Sequence, residues 1–303
     1  MKVFIAGATG AIGQPLVKKL LTIDHEVFGM TRSDEKATTL INLGVEAVVV
    51  NAFDIDAVNS ALQSIKPDVV IEQLTSLPKE YSAETMKASD EINNRLRLEG
   101  GANVQTVAES VGVKRYIIQS AAFFYAPGNG LADESESFLT DAPKFTSNAA
   151  HIFSKIEHRV LTSSDMDGIA LRYGFFYGPG TWYDRGESIA NMVIQQGMPI
   201  IGDGKGVWSF IQIEDAAEAT VAAIDKGNPG GIYNIVDDNS SEVNVWLPAY
   251  AKWLGAPDPI QIEEAVVGDP DFVYYGTKLR GASNEKAKRE LDWDPRALEW
   301  LQE

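Results

Sequence analysis

The sequence predicts an α/β fold, a doubly wound parallel sheet with a smaller interleaved C-terminal substrate lobe. Three observations carry the prediction. Short β-branched runs alternate with amphipathic stretches through the first two-thirds of the chain, the rhythm of parallel strands joined by crossover helices. A glycine-rich stretch, Gly7 to Gly13, links the first strand to the first helix. After Tyr177-Gly178-Pro179-Gly180 the rhythm breaks, and Trp246, Trp253, Trp293 and Trp300 all follow.

Val3-Phe4-Ile5-Ala6 reads as the first buried strand, and Ile12 to Leu21 as a helix with its apolar stripe at Ile12, Leu16, Leu20 and Leu21. Glu26 to Thr31 is a second strand. Asp34 to Leu43 is a helix with Asp34 as its N-cap and Gly44 at the terminating position. Val45 to Val50 is continuously apolar but for Glu46, as a strand buried on both faces should be. A short helix over Asp56 to Ile65 and a strand over Asp68 to Ile71 follow. One long helix then runs to about Val111, and Arg115 to Ser120 is a fifth strand. Ala126 to Thr146 is rich in Pro, Gly and acid and reads as a loop. A helix from about Asn148 to Ser163 leads to a sixth strand, Gly168 to Tyr173, and Ile232 to Val236 completes the same sheet. Residues 1–177, completed by about 205–236, form the sheet domain; residues 178–204 and 237–303 form the smaller lobe, with the four tryptophans as its core.

The charge balance narrows the partners. Forty-three acidic residues against 26 basic ones give a formal net charge of -17, which repels phosphate backbones and anionic headgroups, so neither nucleic acid nor a membrane is expected as a partner. There is no cysteine, and His25, His151 and His158 lack any metal-binding spacing, so no metal is expected. No leader-like or membrane-spanning apolar run is visible, and the expectation is a cytoplasmic protein.

The glycine stretch carries the chemistry. Gly7 suits a tight turn, Gly10 lets backbone approach a pyrophosphate, and Gly13 lets the helix pack closely on the strand. The backbone of Thr9, Ala11 and Ile12 completes a helix N-terminus that favours phosphate. This is a Rossmann-type dinucleotide site. An NAD site usually places an acid about 20 residues beyond the loop, on the ribose 2′-hydroxyl. Here Thr31-Arg32-Ser33 stands at the end of the second strand. A guanidinium flanked by two hydroxyls suits a 2′-phosphate, so NADP(H) is preferred and NAD(H) remains possible.

The chain resembles the extended short-chain dehydrogenase/reductases, the NAD-dependent epimerase/dehydratases. Gly7-xx-Gly10-xx-Gly13 is similar to their cofactor loop, Leu171-Arg172-Tyr173-Gly174 through Tyr177-Gly178-Pro179-Gly180 to their "LRxxxxYGPG" segment, and Phe210 to Ala217 to their "fihvxDva" segment. The resemblance implies further cofactor contacts. Asn51 and Ala52 would face the adenine, Leu74 and Thr75 the ribose and nicotinamide side, and Tyr173 to Phe176, with Phe175 among them, would pass near the nicotinamide. It also implies a small-molecule substrate and a homodimer formed through two helices of the sheet domain.

The family's serine and Tyr-xxx-Lys pair are not reproduced. His151-Ile152-Phe153-Ser154-Lys155 puts His151 where the tyrosine would stand, and the strand end reads Ser120-Ala121-Ala122-Phe123-Phe124-Tyr125. Three readings follow. His151 replaces the tyrosine as proton donor, with Lys155 on the nicotinamide ribose and Ser120 beside it, because an imidazole titrates near neutral pH and positions i and i+4 share a helix face. Alternatively a pocket tyrosine, Tyr125 or Tyr177, takes the proton role. In the third reading the chain binds NADP(H) without turnover, as a sensor acting through a protein partner. The acidic loop carrying Asp133, Glu134, Glu136 and Asp141, and the aromatics Phe123, Phe124, Phe175, Phe176, Trp182 and Tyr183, point to a small neutral carbonyl or alcohol substrate. Lys278 or Arg280 reaching a substrate phosphate is the counterweight. A sugar epimerase or dehydratase is the same-fold alternative.

One measurement tests the NADP(H) assignment. Arg32→Ala should weaken NADPH binding about 10- to 100-fold, the worth of a charge-assisted contact, and leave NADH nearly unchanged; equal losses in titration calorimetry refute it.

Overall fold

A computed structural model describes residues 1–302. The chain begins with β1 (Lys2–Ala6), α1 (Gly13–Thr22), β2 (Glu26–Thr31), α2 (Asp34–Asn42), β3 (Glu46–Val49), α3 (Ile55–Ile65) and β4 (Val69–Glu72). Next come α4 (Ala83–Arg95), a π-helical turn (Leu96–Gly100), α5 (Gly101–Ser110), β5 (Arg115–Ala121), α6 (Lys144–Leu161) and β6 (Asp167–Tyr173). Beyond them lie β7 (Phe175–Tyr177), α7 (Ser188–Ile194), β8 (Ile200–Ile201), β9 (Val207–Trp208), β10 (Phe210–Gln212), α8 (Ile213–Lys226) and β11 (Ile232–Ile235). The tail adds β12 (Ser241–Glu242), α9 (Val243–Leu254), β13 (Gln261–Ile262), α10 (Pro270–Thr277) and α11 (Glu285–Leu291). No described helix is long and apolar enough to cross a membrane.

Seven parallel strands form one sheet in the order β11-β6-β5-β4-β1-β2-β3. The chain moves outward from β1 in both directions, so the crevice beyond the ends of β1 and β4 is the switch point where such sheets take ligands. Two buried clusters cover the faces. One packs Leu16 and Leu20 of α1 with Ala216 and Ala223 of α8 against Val3 and Ile5. The other packs Leu62 of α3, Val104 of α5 and Phe153 of α6 against Phe4, Val70 and Ile118. Strand residues alternate between the two clusters, the period-two signature of a doubly covered sheet.

Four expectations change. Residues 45–50 do form a strand, but β3 is the sheet edge and its side chains are only half-buried or exposed, so its apolar run does not reflect burial on both faces. Ser33, not Asp34, caps α2; the Ser33 hydroxyl accepts from Lys36 N–H at 3.4 Å, and Asp34 sits in the first turn, where the helix dipole favours an acid. The long helix toward Val111 is interrupted by the π turn. Trp246 and Trp300 lie in the aromatic core of the C-terminal segments, but Trp293 packs behind α8 and donates its indole N–H to the Asp215 carbonyl at 3.1 Å.

The π turn delivers Gly100 and Gly101 against the sheet. Gly101 lies against the buried Glu72 carboxylate, which accepts from Arg159 Nη2 at 2.8 Å and from the Tyr116 hydroxyl at 2.6 Å. A Cβ at Gly101 would overlap Glu72 Oε1, and buried charge cannot retreat cheaply from its partner. Gly101→Ala should therefore lower the unfolding free energy by about 1–3 kcal/mol in urea titrations. Gly268→Ala, where an added Cβ meets nothing, should stay within about 0.5 kcal/mol.

Candidate functional site

The glycine loop follows β1 into the switch-point crevice. Gly7 has φ +99°, and a Cβ there would overlap the Gln73 carbonyl; a Cβ at Gly13 would strike the Gly7 carbonyl and Ala8. Both positions exclude side chains because backbone approaches backbone. Gly10 differs: its only close neighbour would be the Gly7 carbonyl at 3.3 Å, so its outer side is open. Ile12, at the N-cap of α1, supplies no side-chain acceptor. Thr9 and Gly10 are half-buried and Ala11 is exposed, while Ile12 and Gly13 are buried. An uncapped helix start behind a cradle that any Cβ would fill fits a pyrophosphate, by shape and by dipole.

At the end of β2, Thr31 is buried and its hydroxyl accepts from Ser33 N–H at 3.3 Å. Arg32 is exposed and forms no ion pair or side-chain hydrogen bond among the described residues. Asn51 is exposed, with its Oδ1 taken by Phe53 N–H at 3.2 Å, and Ala52 is buried beside Gly100. Leu74 and Thr75 are half-buried in the loop after β4, which Asn93 Oδ1 holds by accepting from Ser76 N–H at 2.9 Å. These positions ring the carboxyl ends of β1 to β4.

The catalytic candidates fall into two groups, an exposed pair on α6 and a buried pair after β5. The buried face of α6 is Thr146, Ala150, Ile152, Phe153, Ile156, Glu157 and Val160. His151 and Lys155 lie two residues either side of Phe153, roughly 160° around the helix from it. Both are exposed and neither forms a side-chain hydrogen bond or ion pair among the described residues. They do share a face, but it is the outer one. Neither side chain is committed to a protein partner among the described residues, which leaves both free to meet a ligand.

Ser120 and Tyr125 are buried in a network that uses them up. Ser120 Oγ donates to Glu157 Oε1 at 2.5 Å, and Arg172 grips both Glu157 oxygens at 2.7 and 2.8 Å. Arg172 Nη1 donates to the Tyr125 hydroxyl at 2.7 Å, which donates to Asn234 Oδ1 at 2.6 Å. Burial pushes the Tyr125 hydroxyl up to about 12, although Arg172 and Asn234 pull the other way. Its proton goes to Asn234, which ties the segment after β5 to β11. Tyr177 is also buried, edge-on to Trp300 at 4.9 Å, and burial with Asp237 nearby raises its pKa further. Tyr173 turns to the α8 side, where its hydroxyl meets Thr220 Oγ1 at 2.7 Å and accepts from Gln73 Nε2 at 3.3 Å. Of these aromatics, Phe175 remains half-exposed at the crevice, stacked at 4.3 Å on Phe123 and at 4.3 Å on Trp208.

The acidic loop is not an uncompensated mouth. Glu136 is gripped by Arg280 through both oxygens, at 2.5 and 2.7 Å. Glu134 accepts from Asn234 N–H at 2.8 Å, and Asp133 accepts from Ser135 N–H at 2.8 Å. Of the two supports for a neutral substrate, the acidic loop is thus partly neutralised while the aromatics Phe123 and Phe175 stand, and Arg280 is engaged by Glu136. Sequence reasoning missed Glu157 and Arg172. The available signal was an acid on the apolar stripe of α6, which demands a buried partner.

The NAD dependent epimerase/dehydratase family model matches residues 3–236, and the chain belongs to that family. A Streptomyces protein, 3-diazoavenalumate denitrifying reductase, is 37% identical over 313 residues, spanning 99% of this chain and 98% of its own length. Among solved structures, a Thermotoga maritima UDP-glucose 4-epimerase with UDP-glucose superposes with TM-score 0.77 at 18% identity, covering 99% of this chain and 95% of that one. A Thermus thermophilus UDP-glucose 4-epimerase complexed with NAD gives 0.74 at 22%, covering 99% and 96%. At such identities the two structures speak for the fold. The family places the chain among NAD(P)-dependent oxidoreductases and epimerases.

If the outer face of α6 is free of chemistry, His151→Phe and Lys155→Met should bind NADPH as the unmodified chain does. Tyr125→Phe should instead cost about 1–3 kcal/mol of stability by leaving Arg172 and Asn234 short of a partner. Calorimetric titration and urea unfolding check the two outcomes; a tenfold loss of affinity in either α6 variant would assign that residue to the cofactor.

Proposed function

We propose that this epimerase/dehydratase-family chain is an NADP(H)-dependent reductase of an electrophile that needs no proton from the protein. The single observation behind this is that the tyrosine hydroxyls at the sheet end are spent inside the protein, Tyr125 on Asn234 and Tyr173 on Thr220 and Gln73. The dinucleotide, when bound, supplies a hydride. Its pyrophosphate would rest on Gly7 to Gly13, its 2′-phosphate on Arg32 with Ser33 and Thr31 beside it, and its adenine near Asn51 and Ala52. Leu74, Thr75 and Phe175 would flank the other half.

A carbonyl acceptor also needs a proton, normally from a positioned acid. The buried hydroxyls of Ser120, Tyr125 and Tyr173 are already hydrogen-bonded within the protein, which supports an acceptor that needs no proton; exposed His151 is the donor that turnover of carbonyls would implicate. An arenediazonium acceptor fits what remains. The C–N bond breaks with its electron pair leaving on dinitrogen, hydride forms the new C–H bond, and atoms and charge balance with no proton. The half-exposed Phe123 and Phe175 offer a flat aromatic wall to an aromatic cation, and the net charge of -17 draws cations inward. The 37% identical relative, named as a denitrifying reductase of a diazo compound, supports the same acceptor class.

The test is NADPH consumption, over the protein-free rate, with a panel of arenediazonium salts and a matched panel of aldehydes and ketones. Turnover of the diazonium panel, with deuterium from 4-deuterated NADPH appearing at the former C–N carbon, is expected. Turnover confined to carbonyls overturns the proposal, and tight NADPH binding with no turnover on either panel returns the chain to a silent sensor.

A further inference from the structure

Phe153, on the buried face of α6, meets a cation from another element. Arg97 sits in the π turn, a geometry that often marks functional positions in helices. Its guanidinium carbon stands 4.6 Å from the centre of the Phe153 ring. Asn93, four residues earlier on the helix, holds the loop after β4 through Ser76, so Arg97 lies between that loop and α6. Its own carbonyl is held by Arg159 Nη1 at 3.5 Å.

Arg97 is mostly buried, yet its guanidinium has no hydrogen-bond acceptor and no ion pair among the described residues. The other inward arginines each hold at least one acceptor: Arg115 the carbonyls of Ala223 and Ile224, Arg159 Glu72 (its Nε stays unpartnered), Arg172 Glu157, Arg280 Glu136. Stacking on Phe153 stabilises the charge but meets none of its five N–H donors. Burial lowers its pKa to about 10, with Asp90 and Glu72 opposing, so it stays charged at neutral pH.

We propose that Arg97 binds the ribose hydroxyls of the nicotinamide half of the dinucleotide through N–H donors that have no acceptor among the described residues. The proposal rests on the NADP(H) reading above. Arg32 and Asn51 mark the adenine half beyond β2 and β3, and the glycine loop marks the pyrophosphate at β1. Arg97, beside the loop after β4 and the helix after β5, lies under the half that continues past the pyrophosphate. The guanidinium fork matches a vicinal diol, offering two N–H donors side by side. Because it approaches from the loop after β4 and not from the C-terminal segments, the cofactor meets it before a substrate does.

The test uses the full chain and two ligands, NADPH and 2′,5′-ADP, which carries the adenine half and the 2′-phosphate but no nicotinamide ribose. Arg97→Met should weaken NADPH about tenfold or more and leave 2′,5′-ADP within about twofold. Retained 2′,5′-ADP affinity also shows that the variant is folded. Arg97→Lys, which keeps the charge without the fork, should fall between the two and carries the test if the methionine variant does not fold. Equal losses for both ligands, or none for either, overturn the assignment of Arg97. Failure of the unmodified chain to bind either ligand overturns the NADP(H) reading itself.

Discussion

The buried pair between Glu157 on α6 and Arg172 on β6 is the constraint on which the site depends. Arg172 takes both carboxylate oxygens within 2.8 Å, and each side chain is at most 6% exposed. Two charges in such a place are tolerated only when matched and further hydrogen-bonded, and Ser120 and Tyr125 supply those bonds. The pair fixes the rotation of an 18-residue helix. With Glu157 turned inward, Phe153 must follow one turn earlier, and His151 and Lys155 must point away. The same pair therefore stabilises the end of the sheet and sets which face of α6 packs against it.

The C-terminal segments are fastened by comparable contacts. Arg280 crosses to the loop before α6, donating to the Gly130 carbonyl and to Glu136. Arg296 returns to the start of α8, where its backbone N–H and guanidinium both reach Asp215. Between them Trp208, Phe210, Trp246, Tyr250 and Trp300 pack as one aromatic body. These ties join the residues around Phe175 to the sheet through the core, so the aromatic wall of the crevice is held from behind.

What could be read in the sequence was what local pattern encodes. The glycine loop announces itself because Gly7 and Gly13 are required by contacts within a few residues or with the adjoining strand. The sheet was legible for the same reason, each strand being a short apolar run between crossovers. Two things were not. The spacing of His151 and Lys155 shows that they share a face but not which face. The stripe through Ala150, Phe153 and Val160 held that information, with Glu157 disguising it by placing an acid among apolar positions. The acidic loop looked unbalanced because its partner, Arg280, lies 144 residues away from Glu136. Long-range charge pairing leaves no local trace.

The π turn between α4 and α5 has a consequence for how the molecule can change. A helix that ran straight would present one continuous face, and any residue that served the crevice would set the phase of every residue below it. The extra residue of the wider turn uncouples the two halves. Asn93 and Arg97 keep the phase the crevice requires, while Gly101, Val104 and Ala108 keep the phase the sheet requires. Substitutions in the upper half can therefore alter what the crevice holds without repacking the core beneath, and binding specificity and stability become separable properties of one helix.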